Sequence, residues 1–169
     1  MPYVAPRRDS QGDAWTEEAS RRGRRGSQRI VHAGEVPAPR EVATVFGMSE
    51  GEAVVARRRV MMLDGSPVEL TDTYYPLSIA GGTRLTETAK IPGGAVTLLA
   101  SLGFEPKQVH EEVHARLATA AEREALELAV GEPLLCMTRV TEGVSGPFQV
   151  DVSVFPASGQ RLRYDMRIG

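Results

Sequence analysis

Residues 54–76 read VVARRRVMMLDGSPVELTDTYYP, and these residues are the clearest indication of the fold in the sequence. Two runs rich in β-forming residues, at Ala53–Leu63 and Pro67–Tyr75, flank Asp64-Gly65-Ser66, a turn signal that predicts a β-hairpin. Apolar and polar residues alternate along both runs, as in strands that bury one face. The stretch therefore predicts an antiparallel sheet at the centre of the fold.

The alternation also predicts which residues pair across the hairpin. Apolar faces match only when the numbers of paired residues sum to an even value, and a three-residue loop with Leu63 opposite Pro67 meets this condition. A two-residue loop would bury the wrong row of side chains. The pairs predicted on the more polar face are Arg59 with Thr71 and Arg57 with Thr73.

Helices and further strands are predicted on both sides of the hairpin. The helices lie at Arg40–Phe46, at 95–102 and from Thr119 to Ala129, the last opened by a Thr-x-x-Glu capping box. The strands lie at Arg29–Val36, Leu134–Thr141, Phe148–Phe155 and Arg161–Ile168. This order predicts an α+β fold, an antiparallel sheet with packed helices, and no internal repeat is apparent in the sequence.

Composition and charge bound the possible functions. The chain has 169 residues, of which 41% are hydrophobic and 25% charged, which suits one domain and no membrane-spanning bundle. A single cysteine and the lack of a signal peptide indicate a cytoplasmic protein. Residues 1–30 carry about +3 and the rest about −5. We expect a basic flexible linker at 1–29 and a folded domain at 30–169 that is a poor nucleic-acid surface.

His110-Glu-Glu-Val-His114 fits the H-E-x-x-H signature of zinc metalloproteases. Two histidines at this spacing reach one metal ion only on a helix, because on a strand they lie roughly 13 Å apart. Apolar residues at 109, 113 and 117 fit either structure. A helix that begins anew at Thr119, and the absence of a third histidine after the motif, favour a strand with solvent-facing histidines. The alternative is a small zinc metalloprotease that uses His110, Glu111 and His114.

Two arginines are the stronger functional candidates. Arg57 and Arg59 project from one face of a strand and offer charge-assisted donors to a carboxylate or phosphate, although strand arginines commonly lie on a solvated face. Gly93-Gly94 at a helix start could bind an anion through free amides or form a flexible turn. Cys136, in an apolar run, is predicted to be a small buried thiol.

Residues 54–76 resemble the first hairpin of the effector-binding (UTRA) domain of GntR-type transcriptional regulators, HutC subfamily, with its arginines, D-G-x-P turn and Tyr-x-Pro-like ending. Later motifs follow in a similar order. They are L-x-x-L-G at Leu99–Gly103, E-E-V-x-A-R at Glu111–Arg116, G-P-F-Q-V at 146–150 and L-R-Y at Leu162–Tyr164. The resemblance covers roughly residues 30–168.

The resemblance implies a chorismate-lyase-like fold and a non-enzymatic domain that binds a small-molecule effector on its sheet. It also implies a homodimer that presents winged helix-turn-helix domains to operator DNA. That winged domain is expected to be missing here, because only one short helix precedes the hairpin. No cofactor, metal ion or membrane is implied. The expected effector-binding residues are Arg57, Arg59, Thr71, Thr73, Gln149 and Asp151.

Several positions depart from the family pattern. Arg59 matches the first arginine of its R-x-R, but the second falls on Met61. An acidic position falls on Thr71, and a glutamate that often binds ligand falls on Gln149. The serine and tyrosine of phosphosugar-binding members fall on Gly94 and Val96. These departures imply a less charged effector or a degenerate pocket. A lyase-type enzyme on the same fold is a further alternative, but the pocket rows show no obvious acid–base pair.

Overall fold

A six-stranded antiparallel sheet forms the centre of the computed structural model, which describes residues 14–164. The strands are β1 (Gly26–Pro37), β2 (Ala53–Leu63), β3 (Ser66–Pro76), β4 (Gln108–Leu117), β5 (Pro133–Gly143) and β6 (Gly146–Pro156). The helices are α1 (Ala14–Arg21), α2 (Arg40–Phe46), α3 (Leu77–Ala80), α4 (Gly94–Ser101) and α5 (Ala120–Leu126), with 3-10 turns at Arg84–Thr86 and Ala157–Gly159. The strand order is β1-β2-β3-β6-β5-β4, which confirms the predicted α+β class.

Helices cover both faces of the sheet. On one face, here called the α2 face, α2 packs on a core that includes Ala56, Tyr74 and Val150, and α5 packs beside it on Leu134 and Val154. On the opposite face, here called the α4 face, α3, the 3-10 turn at Arg84–Thr86 and α4 cover a core with the side chains Val55, Tyr75, Leu85, Leu99 and Phe148. Because helices cover both faces of the sheet, β2 and β3 have buried side chains on both faces.

The fold repeats itself with an offset of 80 residues, so the expectation of no internal repeat was wrong. Adding 80 to the bounds of α2, β2 and β3 gives the bounds of α5, β5 and β6. The two halves, 26–76 and 108–156, are related by an approximate two-fold axis where Asp72 pairs with Val152. The sequence conceals this relation because only seven of the 40 positions in 37–76 match their counterparts in 117–156.

The hairpin turn differs from the prediction, although the register of its arginines is confirmed. Arg57 pairs with Thr73 and Arg59 with Thr71, as expected. The loop has two residues, Asp64 and Gly65, and both have positive φ, 52° and 87°, as a type I′ turn requires. The pairing register shifts between Met61 and Met62, where a β-bulge leaves one extra residue on β3. On the side of this bulge away from the turn, the numbers of paired residues sum to an even value. The three-residue loop was therefore wrong because an even register can also be reached through a bulge.

Both ends of the chain also differ from their predicted form. Within the segment expected to be a linker, 1–29, α1 is a helix and β1 begins at Gly26; residues 1–13 lie outside the described part. Trp15 holds α1 to the sheet, since its Nε1 donates to the Met62 carbonyl at 2.9 Å. Of the strand predicted at Arg161–Ile168, residues 161–164 are not in a strand, and the remainder is outside the described residues. None of the described helices is long and apolar enough to cross a membrane.

Candidate functional site

An open cleft lies on the α4 face beside the first hairpin, and its volume is about 50 Å³. Strand residues form its floor, and the segment that leads into α4 forms its wall. The lining residues are Gln28 and Ile30 from β1, Arg57 and Arg59 from β2, and Lys90, Ile91, Gly93, Gly94 and Ala95. Three of the lining residues are cationic and none is acidic. The cavity is therefore suited to a ligand with negative charge.

Arg59 is the cation that remains available to a ligand. One of its terminal nitrogens, Nη2, donates to Thr73 Oγ1 at 2.8 Å, while its buried Nε has no hydrogen-bond partner. No carboxylate among residues 14–164 lies within 4.0 Å of its guanidinium. A buried N–H without an acceptor is unfavourable, so a ligand oxygen at this position would be stabilised.

Arg57 has a different surrounding. Only 5% of its surface is exposed, and burial lowers the pKa of its guanidinium. Its terminal nitrogens donate to four backbone carbonyls of one loop, those of Arg84 (3.2 Å), Leu85 (3.1 Å), Glu87 (2.5 Å) and Ala89 (3.3 Å). Arg57 thus holds the loop that continues into the cavity wall at Lys90, and its donors are largely used there. Local sequence patterns do not reveal this role, because the acceptors are backbone carbonyls of a distant segment.

A chain of hydrogen bonds runs from Arg59 across the middle of the sheet. Thr73 Oγ1, which accepts from Arg59, donates to Asp151 Oδ1 at 2.6 Å, and Gln149 Nε2 donates to Asp151 Oδ2 at 2.7 Å. Next to it, Thr71 Oγ1 and Ser153 Oγ are 2.8 Å apart. Thr73 and Asp151 are 1% and 6% exposed, so Asp151 is buried within the sheet and does not lie on an exposed strand face. The six residues proposed from the sequence therefore lie in one neighbourhood.

A second, smaller cavity lies beneath α4 at the Gln149 end of this chain of hydrogen bonds. Its walls are apolar except for Thr141 and Gln149, and they comprise Val96, Leu99, Phe104, Pro106 and Phe148. Thr141 is 2% exposed, and its hydroxyl has no partner. From the sequence, Gln149 and Val96 were named as ligand positions, but Thr141 and the apolar walls at Phe104, Pro106 and Phe148 were missed.

The counterpart of Arg59 in the second half is Arg139, and it is neutralised. Its Nε donates to Glu111 Oε1 at 2.7 Å, and both side chains are more than four-fifths buried. Tyr164, from the last described residues, also hydrogen-bonds to Glu111, which raises the pKa of the tyrosine. In the second half, an ion pair with Glu111 thus neutralises Arg139. In the first half, Arg59 has a neutral hydrogen-bond partner, Thr73.

The H-E-x-x-H segment lies on β4, so the zinc metalloprotease is ruled out as a use of these residues. His110 pairs with Val140 and His114 with Cys136 along an extended strand, which places the two histidines roughly 13 Å apart along the backbone. Within residues 14–164, no group of three potential ligands could hold a metal ion. Cys136 is 5% exposed, and burial raises the pKa of its thiol, in agreement with the predicted buried role.

Comparison with known proteins adds to this geometry. The profile of the UTRA domain family matches residues 21–160. An uncharacterised HTH-type transcriptional regulator from Streptomyces coelicolor is 31% identical over 155 residues, which cover 89% of this chain and 57% of that protein. A second HTH-type regulator, from Rhizobium meliloti, is 28% identical over 142 residues, or 83% of this chain and 57% of that protein. The chain thus spans little more than half the length of these relatives.

Solved structures show the same fold. The effector domain of PhnF from Mycobacterium smegmatis superposes with a TM-score of 0.77 at 21% identity, covering 96% of this chain and 98% of that domain. The C-terminal domain of the histidine utilization repressor from Pseudomonas syringae superposes with a TM-score of 0.72 at 25% identity, covering 85% of this chain and all of that domain.

Proposed function

The chain belongs to the UTRA domain family, whose profile spans residues 21–160, and from this premise we propose that it senses a small organic anion for a GntR-type regulator of the HutC subfamily. The family and the relatives found are domains of transcriptional regulators, not enzymes. We place the DNA-reading function in a winged helix-turn-helix domain outside this chain, and the complete regulator in the cytoplasm.

One observation carries the proposal: two neighbouring arginines line a cavity, and within residues 14–164 neither guanidinium is in direct contact with a carboxylate, the Asp151 carboxylate being reached from Arg59 only through Thr73. Charged groups removed from water are normally paired, because desolvation disfavours an isolated charge. The hydrogen-bond partners of Arg57 and Arg59 among the described residues are neutral, and Lys90 adds a third cation to the same cavity. The backbone at Gly93 and Gly94 opens α4 there, and a helix N-terminus favours negative charge. An anion in the cavity would supply the missing counter-charge.

The polarity of the two cavities indicates the class of anion. Because the donors of Arg57 are occupied by carbonyls of the loop, Arg59 and the N-terminus of α4 are the groups that can bind one acidic group of a ligand. Positions that would add polar contacts hold Met61, Gly94 and Val96. The neighbouring cavity is apolar, with only Thr141 and Gln149 as hydrogen-bonding groups. These features support a carboxylic acid with an apolar body rather than a phosphosugar.

The regulatory mechanism follows from linkage. The complete regulator is proposed to act as a homodimer with two arrangements that differ in DNA affinity. A ligand shifts the balance between them only by its difference in affinity for the two. We expect the hydrogen-bonded chain from Arg59 to Gln149 to differ between the arrangements, because the ligand and Thr73 compete for the same guanidinium.

A thermal-shift screen of small carboxylic acids, sugars and phosphosugars tests the proposal. We expect carboxylic acids with an apolar group to raise the melting temperature, and Arg59→Gln to weaken their binding roughly 10- to 100-fold, as expected for a lost charge-assisted hydrogen bond. Arg58→Gln is the matched control, since Arg58 lies on the same strand but faces the α2 face and pairs with Asp72. Equal weakening by both variants, or no response to any acid, would refute the proposal.

A further inference from the structure

Asp151 is a buried carboxylate whose hydrogen-bond partners are all neutral. It is 6% exposed, and its two oxygens accept from the Thr73 hydroxyl at 2.6 Å and from the Gln149 amide at 2.7 Å. No cationic nitrogen among residues 14–164 lies within 4.0 Å of this carboxylate. A carboxylate removed from water is normally paired with a cation. Within the described residues, Asp151 therefore lacks a direct counter-charge.

The arginines beside Asp151 are engaged elsewhere. Arg139 lies opposite Asp151 in the pairing of β5 with β6, but its Nε donates to the Glu111 carboxylate at 2.7 Å. Arg57, on β2, gives its donors to the carbonyls of the neighbouring loop. A carboxylate has about four acceptor sites, and the two bonds described above leave the others unused. Asp151 can therefore accept a further donor.

One hydroxyl group separates this carboxylate from the half-buried Arg59. Thr73 Oγ1 accepts from Arg59 Nη2 at 2.8 Å and donates to Asp151 Oδ1 at 2.6 Å. Because the two bonds run in series, a small group that carries both an acceptor and a donor can link the cation to the carboxylate. An α-amino acid has this pattern with full charges, since its carboxylate accepts, its ammonium donates, and both are bonded to one carbon atom.

We propose that the acid sensed by this domain is an α-amino acid with an apolar side chain, its carboxylate bound by Arg59 and its ammonium by Asp151. This inference rests on the proposed function and narrows its acid to one that also carries an amine. The neutral partner that Arg59 and Asp151 share at present, the Thr73 hydroxyl, is then replaced for each by a charged group. Charge-assisted hydrogen bonds are roughly twice as strong as neutral ones, so the exchange favours the ligand.

Apolar groups border the site on the side of Asp151. Gln149, which donates to Asp151, also lines the small cavity beneath α4. The apolar walls of that cavity are Val96, Leu99, Phe104, Pro106 and Phe148. A side chain that extends from an ammonium held at Asp151 points toward these walls, where burial of apolar surface is favourable. This arrangement supports an apolar rather than a charged amino acid.

Matched analogues of one amino acid test the ammonium contact. The common L-amino acids are first screened by thermal shift, and we expect one or more with an apolar side chain to raise the melting temperature. The best of them is compared with its analogues by calorimetry. For leucine these are isocaproate, which lacks the amine, leucic acid, which has a hydroxyl in its place, and isoamylamine, which lacks the carboxylate. Each should bind at least about 10-fold more weakly. Equal affinity for the deaminated or the hydroxy analogue, or no response to any amino acid, would overturn the proposal.

Asp151→Asn tests the residue itself. The substitution keeps the shape of the side chain and removes its charge, so the amino acid should bind at least about 10-fold more weakly, while its deaminated analogue binds within about 3-fold of wild type. Asp72→Asn is the matched control, because Asp72 lies on the α2 face and pairs with Arg58; it should change neither affinity. Equal weakening of both ligands by Asp151→Asn contradicts an ammonium contact at this residue.

This inference and the proposed function fail in different ways. If deaminated acids bind as tightly as amino acids and Arg59→Gln weakens both, the domain senses an acid without recognising an amine. If Arg59→Gln leaves the affinity for amino acids unchanged, the anion site of the proposed function is wrong. If Asp151→Asn does not fold, the comparison of analogues on the wild-type chain decides alone.

Discussion

Arg59 and Arg139 lie 80 residues apart at equivalent positions of the two halves, and of these two arginines only Arg139 is in direct contact with a carboxylate within residues 14–164. The difference comes from the neighbouring strand: β4 places Glu111 opposite Arg139, whereas β1 places Ile30 opposite Arg59. The second half therefore shows what the first half would look like if its cation were neutralised from within.

Ile30→Glu should close the proposed anion site. The new carboxylate would lie beside Arg59 as Glu111 lies beside Arg139, and it would take the place of the ligand's acidic group. We expect acid-induced thermal stabilisation to disappear while the unliganded domain stays folded. Ile30→Gln is the neutral control and should retain most of the response; a response retained by Ile30→Glu would show that the ligand does not bind at Arg59.

Glu111→Gln should destabilise the domain, in contrast to Arg59→Gln. Removing the carboxylate leaves Arg139 largely buried and uncompensated, which costs about 2–4 kcal/mol of unfolding free energy. Arg59 has no such partner, so Arg59→Gln should change stability by less than about 1 kcal/mol. Urea denaturation of both variants provides the comparison, and equal losses would mean that Arg59 is stabilised by a group not recognised in the site.

Arg57→Met should loosen the loop at 84–89 and weaken the fold. The substitution removes the donors for four carbonyls; a fully buried carbonyl left without a partner costs about 1–3 kcal/mol, whereas water can replace the donor at the three that are partly buried. We expect a total loss of about 2–4 kcal/mol together with faster amide hydrogen exchange at 84–95. Unchanged exchange in that segment would indicate that α3 and Ile91, rather than Arg57, hold the loop.

Stability should fall in acid partly through Glu122. Hydrogen bonds from Arg116, and then from the Thr119 backbone, lower the pKa of this carboxyl from 4.5 to about 2. Because the folded state has the lower pKa, Glu122 contributes stability above about pH 4.5 that is lost as the pH falls toward 2. Glu122→Gln should therefore be less stable than wild type at pH 7, and the difference should shrink by pH 2.5. A difference that is constant with pH would assign the effect to packing.

Gly26→Ala should release α1 from the sheet. A Cβ at Gly26 would lie 2.9 Å from both the Trp15 indole nitrogen and the Ala19 methyl group, closer than real contacts allow. Trp15 is the single tryptophan of the chain, so its fluorescence reports this contact directly. We expect emission to shift to longer wavelength in the variant, with far-UV circular dichroism of the sheet preserved. Unshifted emission would mean that α1 adapts without leaving the sheet.

The sequence predicted the parts of this molecule that depend on local patterns. Alternation identified the register of Arg57 and Arg59 and favoured a strand over a zinc-binding helix at 110–114, and the capping box located the start of α5. Local patterns carry this information because the alternation of side chains along a strand, and the hydrogen bonds that cap a helix, involve residues only a few positions apart.

Other features depend on contacts between distant residues, and these were missed. The role of Arg57 is set by carbonyls 27–32 residues away, and the docking of α1 by a tryptophan–carbonyl contact across 47 residues. The duplication was hidden because a β-strand needs only a suitable alternation, which many unrelated residues satisfy. The same tolerance let one half keep an ion pair at Arg139 while the other kept a cavity at Arg59.

The seam between β3 and β6 is the shortest in the sheet. It joins five residue pairs, whereas each of the other strand pairs joins ten or eleven. Two of these five pairs, Thr71 with Ser153 and Thr73 with Asp151, are also linked by side-chain hydrogen bonds, and Arg59 binds Thr73 directly. A ligand that breaks the Arg59–Thr73 hydrogen bond would thus weaken the pairing of β3 with β6, which is the shortest strand pairing between the two halves. Binding of a small ligand would then allow one half to rotate relative to the other.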